Sequence, residues 1–325
     1  MLPQAPSTGP ATSAKNARMK CIHHGETVDA QLRGGVMALG NFDGFHRGHQ
    51  AVVGAALARA RAEGRPALVA TFDPHPSRLF RPELPPFALT TTPQKLDLFE
   101  AFGIDAAVVI SFDKAFSSLT AEQFVAEWLG TKTGARTVVT GEDFVFGAKR
   151  SGDTAALARF GVAHGIASQA VPPVSDGGDI VSSSRIRAAL IAAEPQLAAA
   201  LLTRPFTIRG EVEHGAKLGR QLGFPTLNLS LGEYQRPAYG VYAVRVRLPD
   251  GSVVDGVANL GLRPMIQPPL ELLEAHLFDW SGDLYGQTVE VELHHFLRPE
   301  WKLDGLAALK TQIAADEAHA RAKLG

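Results

Sequence analysis

The sequence predicts an α/β protein in two parts: a parallel, doubly wound sheet, then a small antiparallel β-barrel with a closing helix. Three observations predict it. Apolar strand-like runs alternate with helical patterns five times between about residues 35 and 193, as parallel βαβ units require. Near Glu194-Pro195 the alternation stops and short strands with tight turns take over. One helical pattern, residues 304–323, then ends the chain.

Each element has its own grounds. "GVMAL" (35–39) is a continuous apolar run and reads as a buried strand. "GHQAVVGAALARARAE" (48–63) sets Val52, Val53, Leu57 and Ala60 on one helical face, and Gly64 with Pro66 ends it. "ALVATF" (67–72) completes a βαβ unit, which should be right-handed. Thr92-Pro93 opens a helix to about Gly103, and "DAAVVI" (105–110) follows as a strand. Thr120 with Gln123 reads as a capping box before "AEQFVAEWLG". "RTVVT" (136–140) and "IASQAV" (166–171) read as strands, "DTAALARFGVAHG" (153–165) and "SRIRAALIAA" (184–193) as helices. In the second part "YGVYAVRVRL" (239–248), the turn "PDG" and "SVVDGVANL" (252–260) form a hairpin. "LEAHLFDW" (273–280) and "TVEVELHHFL" (288–297) add strands. The expected layout is a disordered tail over 1–30, a first domain over 31–195 and a second over 200–325.

Composition narrows the classes. A chain of 325 residues suits two domains, and 45% apolar against 20% charged residues lets each build a core. A formal net charge of -1 argues against a duplex nucleic acid as partner. Cys21 is the only cysteine, so an internal disulfide and a Cys-rich zinc site are excluded. That favours a reducing, cytoplasmic setting. No apolar run approaches the roughly 18 residues of a membrane span. The first twenty residues carry no acidic residue and no apolar core segment, so they read as a tail rather than a secretory signal. The oligomeric state stays open.

In an open parallel sheet, ligands bind beyond the carboxyl ends of the strands. "GNFDGFHRGH" (40–49), "TFDPHP" (71–76), "TGEDFVFG" (140–147) and "SDGGDIVSSSR" (175–185) each leave or follow such an end, so all converge on one rim. His46 and His49 are three apart at a helix start and share a face, near free backbone N–H groups that suit an anion. Gly48 removes a Cβ where a nucleotide would approach. Imidazole N–H donors can stabilise a phosphoryl-type transition state. Ser182, Ser183 and Ser184 add hydroxyls, Arg185 can clamp phosphate, and Arg187 is a weaker second candidate. Plainer roles stand beside these. Asp43 or the serines could cap helices, His75 could mark a surface turn, and H-x-x-H could ligate zinc without a third ligand in sight. No P-loop pattern occurs.

The second candidate site lies in "GEVEHGAKLGRQLGFPTLNL" (210–229). Gly215, Gly219 and Gly223 make it a loop beside a barrel strand, where Lys217 and Arg220 could meet phosphate. Thr226 and Asn228 alternate with Leu227 and Leu229, so they share a strand face and offer hard oxygens suited to Mg²⁺. Glu274 stands in the apolar strand "LLEAHLF". Buried, its pKa would rise, as a general base needs; exposed, it is an edge glutamate. Asn259 and Arg263 could equally structure a loop.

"GNFDGFHRGHQ", "TFDPHP", "GEDFVFG" and "SSSRIR" resemble, in order and spacing, the N-terminal domain of bifunctional riboflavin kinase/FAD synthetases. "GFPTLN", "GVYAV", "GVANLGLRP", "LEAHLFDWSGDLYG" and "FLRPE" are similar to the riboflavin kinase domain of that family. The resemblance runs from about residue 35 to residue 322. It implies a Rossmann-like nucleotidyltransferase domain with an H-x-G-H motif at His46, Gly48 and His49. Its ATP and FMN site would include Gly40, Asn41, Phe42, Asp43, Asp73, His75, Asp143, the three serines and Arg187. It implies a six-stranded riboflavin kinase barrel binding flavin and Mg-ATP, with Pro225, Thr226 and Asn228 at the metal and phosphates and Glu274 as base on the ribityl hydroxyl. Gly215, Lys217, Gly219, Arg220, Gly223, Asn259 and Arg263 would complete the kinase site. The chain departs from the pattern at Asp143 for Asn, at "SSSR" for "SSTR", at Leu227 for Ala and at Met265 for Thr.

The implied function is a two-step synthesis: riboflavin to FMN in the barrel, then FMN to FAD with release of pyrophosphate in the first domain. Another adenylyl- or cytidylyltransferase would leave "GFPTLN" with Glu274 unexplained. A class I aminoacyl-tRNA synthetase would bring a K-M-S-K-S-like segment, which is missing. A chain that only binds flavin in one half is the remaining alternative.

Overall fold

The computed structural model describes residues 18–214, 224–263, 270–302 and 304–325. Its first half is a six-stranded sheet, all parallel, in the order β1-β4-β3-β2-β5-β6. The strands are β1 (Lys20–His23), β2 (Val36–Leu39), β3 (Ala67–Asp73), β4 (Ala106–Ser111), β5 (Thr137–Gly141) and β6 (Ala167–Val171). Strands β2 to β5 are almost wholly buried, because helices cover both faces. On one face α1 (Arg47–Glu63) and α3 (Thr92–Ala101) pack Val52, Val53, Ala56 and Phe99 against Val36, Ala38, Ala67 and Val69. On the other, Phe116 of α4 (Lys114–Ser117), Trp128 after α5 (Ala121–Gln123) and Leu157 of α6 (Thr154–Ala163) meet Met37, Leu39, Leu68 and Val138. The chain proceeds from β2 through β3 to β4 on one side, then crosses to β5 and β6 on the other. The strand order therefore reverses between β2 and β5, the point beyond whose carboxyl ends such sheets bind ligands.

The second half is a six-stranded antiparallel sheet in the order β10-β13-β12-β11-β14-β9. Its strands are β9 (Phe206–Glu211), β10 (Thr226–Ser230), β11 (Gly240–Arg247), β12 (Val253–Arg263), β13 (Leu270–Leu277) and β14 (Thr288–Arg298). The sheet curls until its edge strands come together at one bridge, Glu213 with Asn228. The closing helix α9 (Gly305–Leu324) lays Ala320 and Leu324 on Val241, Ala243, Val257 and Phe278. Arg298 fixes it through two contacts to Asp316, at 2.8 and 2.6 Å. Among the described residues no helix is long and apolar enough to cross a membrane.

Between the halves, α7 (Ser183–Ile191) and α8 (Pro195–Leu202) send Ile186, Leu190, Ala198 and Leu201 into the barrel's own core beside Phe206, Ile208 and Tyr242. The Tyr234 hydroxyl donates to Gln94 Oε1 at 2.7 Å, tying α3 to the barrel.

Four elements depart from the sequence reading. β1 falls inside the expected tail, where Ile22 is buried beside β4. "AEQFVAEWLG" forms one α-turn, Ala121–Gln123, and then a π-helix, Phe124–Lys132. The buried pairs Phe124/Trp128 and Val125/Leu129 recur at a spacing of four, which the wider i→i+5 turn keeps on one face. α8 (Pro195–Leu202) stands where no helix was expected, and Pro195 opens it at its first position. A small hairpin, β7 (Ser175–Asp176) with β8 (Asp179–Ile180), stands before α7.

Candidate active sites

The first rim is built by the loop from β2 into α1. Within it Phe42, Gly44 and Phe45 take left-handed backbone angles, with φ of 51°, 81° and 41°. Two of these are bulky residues, for which that conformation is uncommon. It holds because both rings are buried edge-on against Phe99, at 5.9 and 5.2 Å between centroids. Asp43 is the anchor. Its Oδ1 accepts the backbone N–H groups of Leu89 and Thr90 at 2.8 and 3.1 Å, and its other oxygen pairs with Arg187. Ser183 donates to the Asp43 carbonyl at 3.0 Å.

Asp43 therefore does not cap α1. His46 does: its Nδ1 accepts the His49 backbone N–H at 3.4 Å. That acceptor role puts the His46 proton on Nε2. The two imidazoles stack with centroids 3.6 Å apart, and Phe42 abuts His49 edge-on. Burial, and after it Arg187 and Arg204, push the His46 pKa down to about 4. Burial, then His46, Lys95 and Arg187, hold His49 well below its ordinary range. Both rings are neutral at pH 7 and able to donate an N–H without carrying charge. Among the described residues the buried His49 Nδ1 and Asn41 Oδ1 have no protein partner.

Gly48 has a packing reason beside the one the sequence suggests. A Cβ there would stand 3.2 Å from the His46 ring and 3.3 Å from the Val181 carbonyl. The glycine lets those groups close in. A Cβ on Gly40 would meet the Phe42 ring at 3.1 Å. His75 caps the short helix α2 (Pro76–Phe80) with its Nδ1, and its ring lies edge-on to Phe87. Burial foremost lowers its pKa to about 4. Asp73 and Asp143 are exposed on the same rim, after β3 and β5.

At the start of α7 the serines divide. Ser182 is the N-cap, Ser183 holds the Asp43 loop, and Ser184 is exposed. Arg185 donates to the carbonyls of Asp176 and Asp179, both at 3.2 Å. Arg47 reaches the same Asp176 at 2.8 Å. Arg187 is committed to Asp43 and the Phe87 carbonyl.

Three residues escaped the sequence reading. Lys95 is buried on α3, with its ammonium 3.3 Å from Thr71 Oγ1. Arg204, after α8, donates to the Gly44 carbonyl at 2.8 Å. Gln50 bridges Phe45 to Leu202 and Thr203. Only Lys95 left a signal, four residues before Phe99 on the apolar face of its helix.

In the barrel, register assembles the second site. Asn228 faces Glu274 across β10 and β13, and Glu274 faces Asn259 across β13 and β12. Residues directly opposite in a sheet point to the same face, so the three form one row. Thr226 lies two residues from Asn228 on that face, half-buried. Asn228 is 4% exposed, and its Oδ1 has no protein partner among the described residues. Glu274 is half-buried rather than buried. Asn259 donates to Glu300 at 3.1 Å. Pro225 gives its carbonyl to the His276 ring at 2.8 Å. Leu227 is buried in the barrel core, away from the row. Gly215, Lys217, Gly219, Arg220, Gly223 and Met265 lie outside the described residues, as does the Arg263 side chain.

The FAD synthetase family model matches residues 28–185, and the riboflavin kinase family model matches residues 202–324. The bifunctional riboflavin kinase/FMN adenylyltransferase of Pseudomonas fluorescens is 43% identical over 305 residues, covering 94% of this chain and 97% of the relative. The protein of the same description from Escherichia coli (strain K12) is 38% identical over 296 residues, covering 91% and 95%. A crystal structure described as a macrolide-efflux protein from Streptococcus pneumoniae is 30% identical and superposes with a TM-score of 0.84, covering 93% of this chain and 99% of that one. With one half matched by each family model and full-length relatives aligned across both, the chain belongs to the family of bifunctional riboflavin kinase/FMN adenylyltransferases.

Proposed function

We propose that the row in the barrel phosphorylates riboflavin and that the rim of the parallel sheet adenylylates the FMN so formed. The chain carries both activities of its family, riboflavin kinase and FMN adenylyltransferase. Riboflavin, FMN and ATP are its substrates. The observation that carries the division of labour is the stacked His46–His49 pair at the start of α1, 3.6 Å between centroids.

At the rim, a phosphate oxygen of FMN attacks the α-phosphorus of ATP and pyrophosphate leaves. Negative charge builds on the phosphates. His46 Nε2–H and the His49 ring donate to those oxygens as neutral groups, so no proton need be gained or lost. The α1 N-terminus adds backbone N–H groups on the same side. Arg185, with Ser182 to Ser184, holds the pyrophosphate side. Asp43 and Arg187 keep the loop in place, while Gly40 to Phe42, Asp73, His75 and Asp143 border the substrates.

In the barrel, Glu274 takes the proton of the attacking ribityl hydroxyl. Asn259, Arg263 and Pro225 border the flavin and nucleotide, with Gly215, Lys217, Gly219, Arg220 and Gly223 on the phosphates. Mg²⁺ fits the donor set: the buried Asn228 amide oxygen, without a partner among the described residues, and the Thr226 hydroxyl are hard, neutral oxygens. When bound there, the ion would neutralise phosphate charge. A cytosolic location is proposed with it, supported by the single free Cys21.

The test is a time course with riboflavin, ATP and Mg²⁺, the flavins separated by chromatography. FMN should appear first and FAD second. His49→Ala should stop at FMN, and Glu274→Gln should convert supplied FMN but not riboflavin. FAD formation at wild-type rate in His49→Ala would reject the assignment of the rim.

A further inference from the structure

Lys95 is a buried cation with no carboxylate in direct contact among the described residues. It is 6% exposed. Its ammonium lies 3.3 Å from Thr71 Oγ1 and 3.4 Å from the Phe72 carbonyl, both neutral oxygens at long range. Among the described residues no Asp or Glu oxygen lies within 4.0 Å of it. Asp43 is already engaged by Arg187 and two backbone N–H groups, and Asp73 is exposed. Burying an ammonium in this way is costly unless an anion completes it. Burial accordingly lowers the pKa of Lys95, against the opposing pull of Asp43 and Asp73.

The surroundings say which anion. Thr71, the contact of Lys95, donates to the Asn41 carbonyl at 2.9 Å, at the root of the His46–His49 loop. Lys95 is close enough to His49 and His75 for its charge to help keep both rings neutral. The same loop holds the buried His49 Nδ1 without a partner. An unmatched ring nitrogen and an unmatched positive charge thus collect under one rim.

We propose that Lys95 is a further substrate-binding residue for adenylyl transfer, its ammonium the counter-ion of a substrate phosphate. This rests on reading the rim as the adenylyl-transfer site. A lysine placed for packing alone would be served as well by a methionine. A lysine placed for phosphate makes the free protein less stable than its neutral counterpart, and phosphate binding relieves that deficit.

The opposite signs give the test. Lys95→Met keeps length and removes charge; Lys95→Arg keeps charge. FAD formation is measured with FMN and ATP each varied, riboflavin phosphorylation by the same preparations reports the folded fraction, and urea titration reports stability. The expected result for Lys95→Met is a fall of about 100-fold in kcat/KM for adenylylation, with a urea midpoint no lower than wild type. Lys95→Arg should recover part of the rate. A raised KM for FMN identifies the FMN phosphate as the partner, a raised KM for ATP the triphosphate, and a lower kcat alone a contact made in the transition state. Should Lys95→Met not fold, Lys95→Gln carries the same comparison. Wild-type adenylylation per folded molecule overturns the proposal. So does a loss that follows a lowered urea midpoint and is not recovered by arginine. His49→Ala beside them separates the readings: an active Lys95→Met with an inactive His49→Ala rejects Lys95 alone, whereas both active rejects the rim.

Discussion

Replacing Asp43 with alanine should be among the most damaging single changes outside the chemistry itself. The side chain is 7% exposed and its partner Arg187 21%. The substitution strands two buried backbone N–H groups, at Leu89 and Thr90. Hydrogen bonds to a charged acceptor contribute about 1.5–3 kcal/mol each, and breaking a buried ion pair from one side costs about 3–5 kcal/mol. These terms overlap, and Arg187 keeps the Phe87 carbonyl and some solvent, so a loss of about 4 kcal/mol is expected. A domain holds only about 5–15 kcal/mol in all. Asp43→Asn preserves an acceptor for both N–H groups and removes only the charge, so about half that loss is expected. Arg187→Met in the Asp43→Ala background should restore part of the stability by removing the unpaired cation. Urea titration followed by circular dichroism reads all four proteins. An Asp43→Ala variant within about 1 kcal/mol of wild type would refute the anchoring role.

Three further outcomes are expected. His46 and His75, each held at about 4, and His49, held well below its ordinary range, stay neutral in the folded state where the unfolded chain protonates them near 6.5. The unfolded state then binds more protons, so stability falls as pH drops from 6.5 towards 4, by up to about 1.4 kcal/mol per pH unit for each imidazole. Urea midpoints across that range should decline, and a flat profile counts against the burial of these rings. Gly48→Ala must displace the His46 ring or the Val181 carbonyl, so adenylylation should fall about 10-fold or more while riboflavin phosphorylation is unchanged; parallel assays of the two steps decide it. Tyr234→Phe removes a hydroxyl that donates to Gln94 and accepts from the Arg209 N–H. It should lower stability by about 1–3 kcal/mol in a urea titration, and no change would mean the two halves are not held through this contact.

The strands of the first sheet were legible because burial on both faces leaves continuous apolar runs such as "ALVATF". β1 was not, since a four-residue strand with one buried side chain carries no period. The break at Glu194-Pro195 was a real signal, since α7 ends at Ile191, but the same Pro195 opens α8, which carries no strand–helix alternation to announce it. In the first site the histidines, serines and arginines were visible as residue types. Their division of work was not, because it depends on contacts more than a hundred residues apart, such as Ser183 with the Asp43 carbonyl. The packing role of Gly48 against His46 and Val181 was not visible, because it too rests on contacts between distant segments. In the barrel, alternation placed Thr226 and Asn228 on one face. Only the register of three strands could add Glu274 and Asn259 to the row, and strand register is not written locally.

Helix α7 serves two masters. Its polar side carries Ser183 and Arg187 to the Asp43 loop, while Ile186 and Leu190 lie in the barrel's interior. A chimera joining the first half of one relative to the barrel of another therefore has no clean border here. Wherever the splice falls, α7 arrives as a foreigner on one side. Such hybrids should work best when the donor supplies α7 together with the barrel surface that seats it.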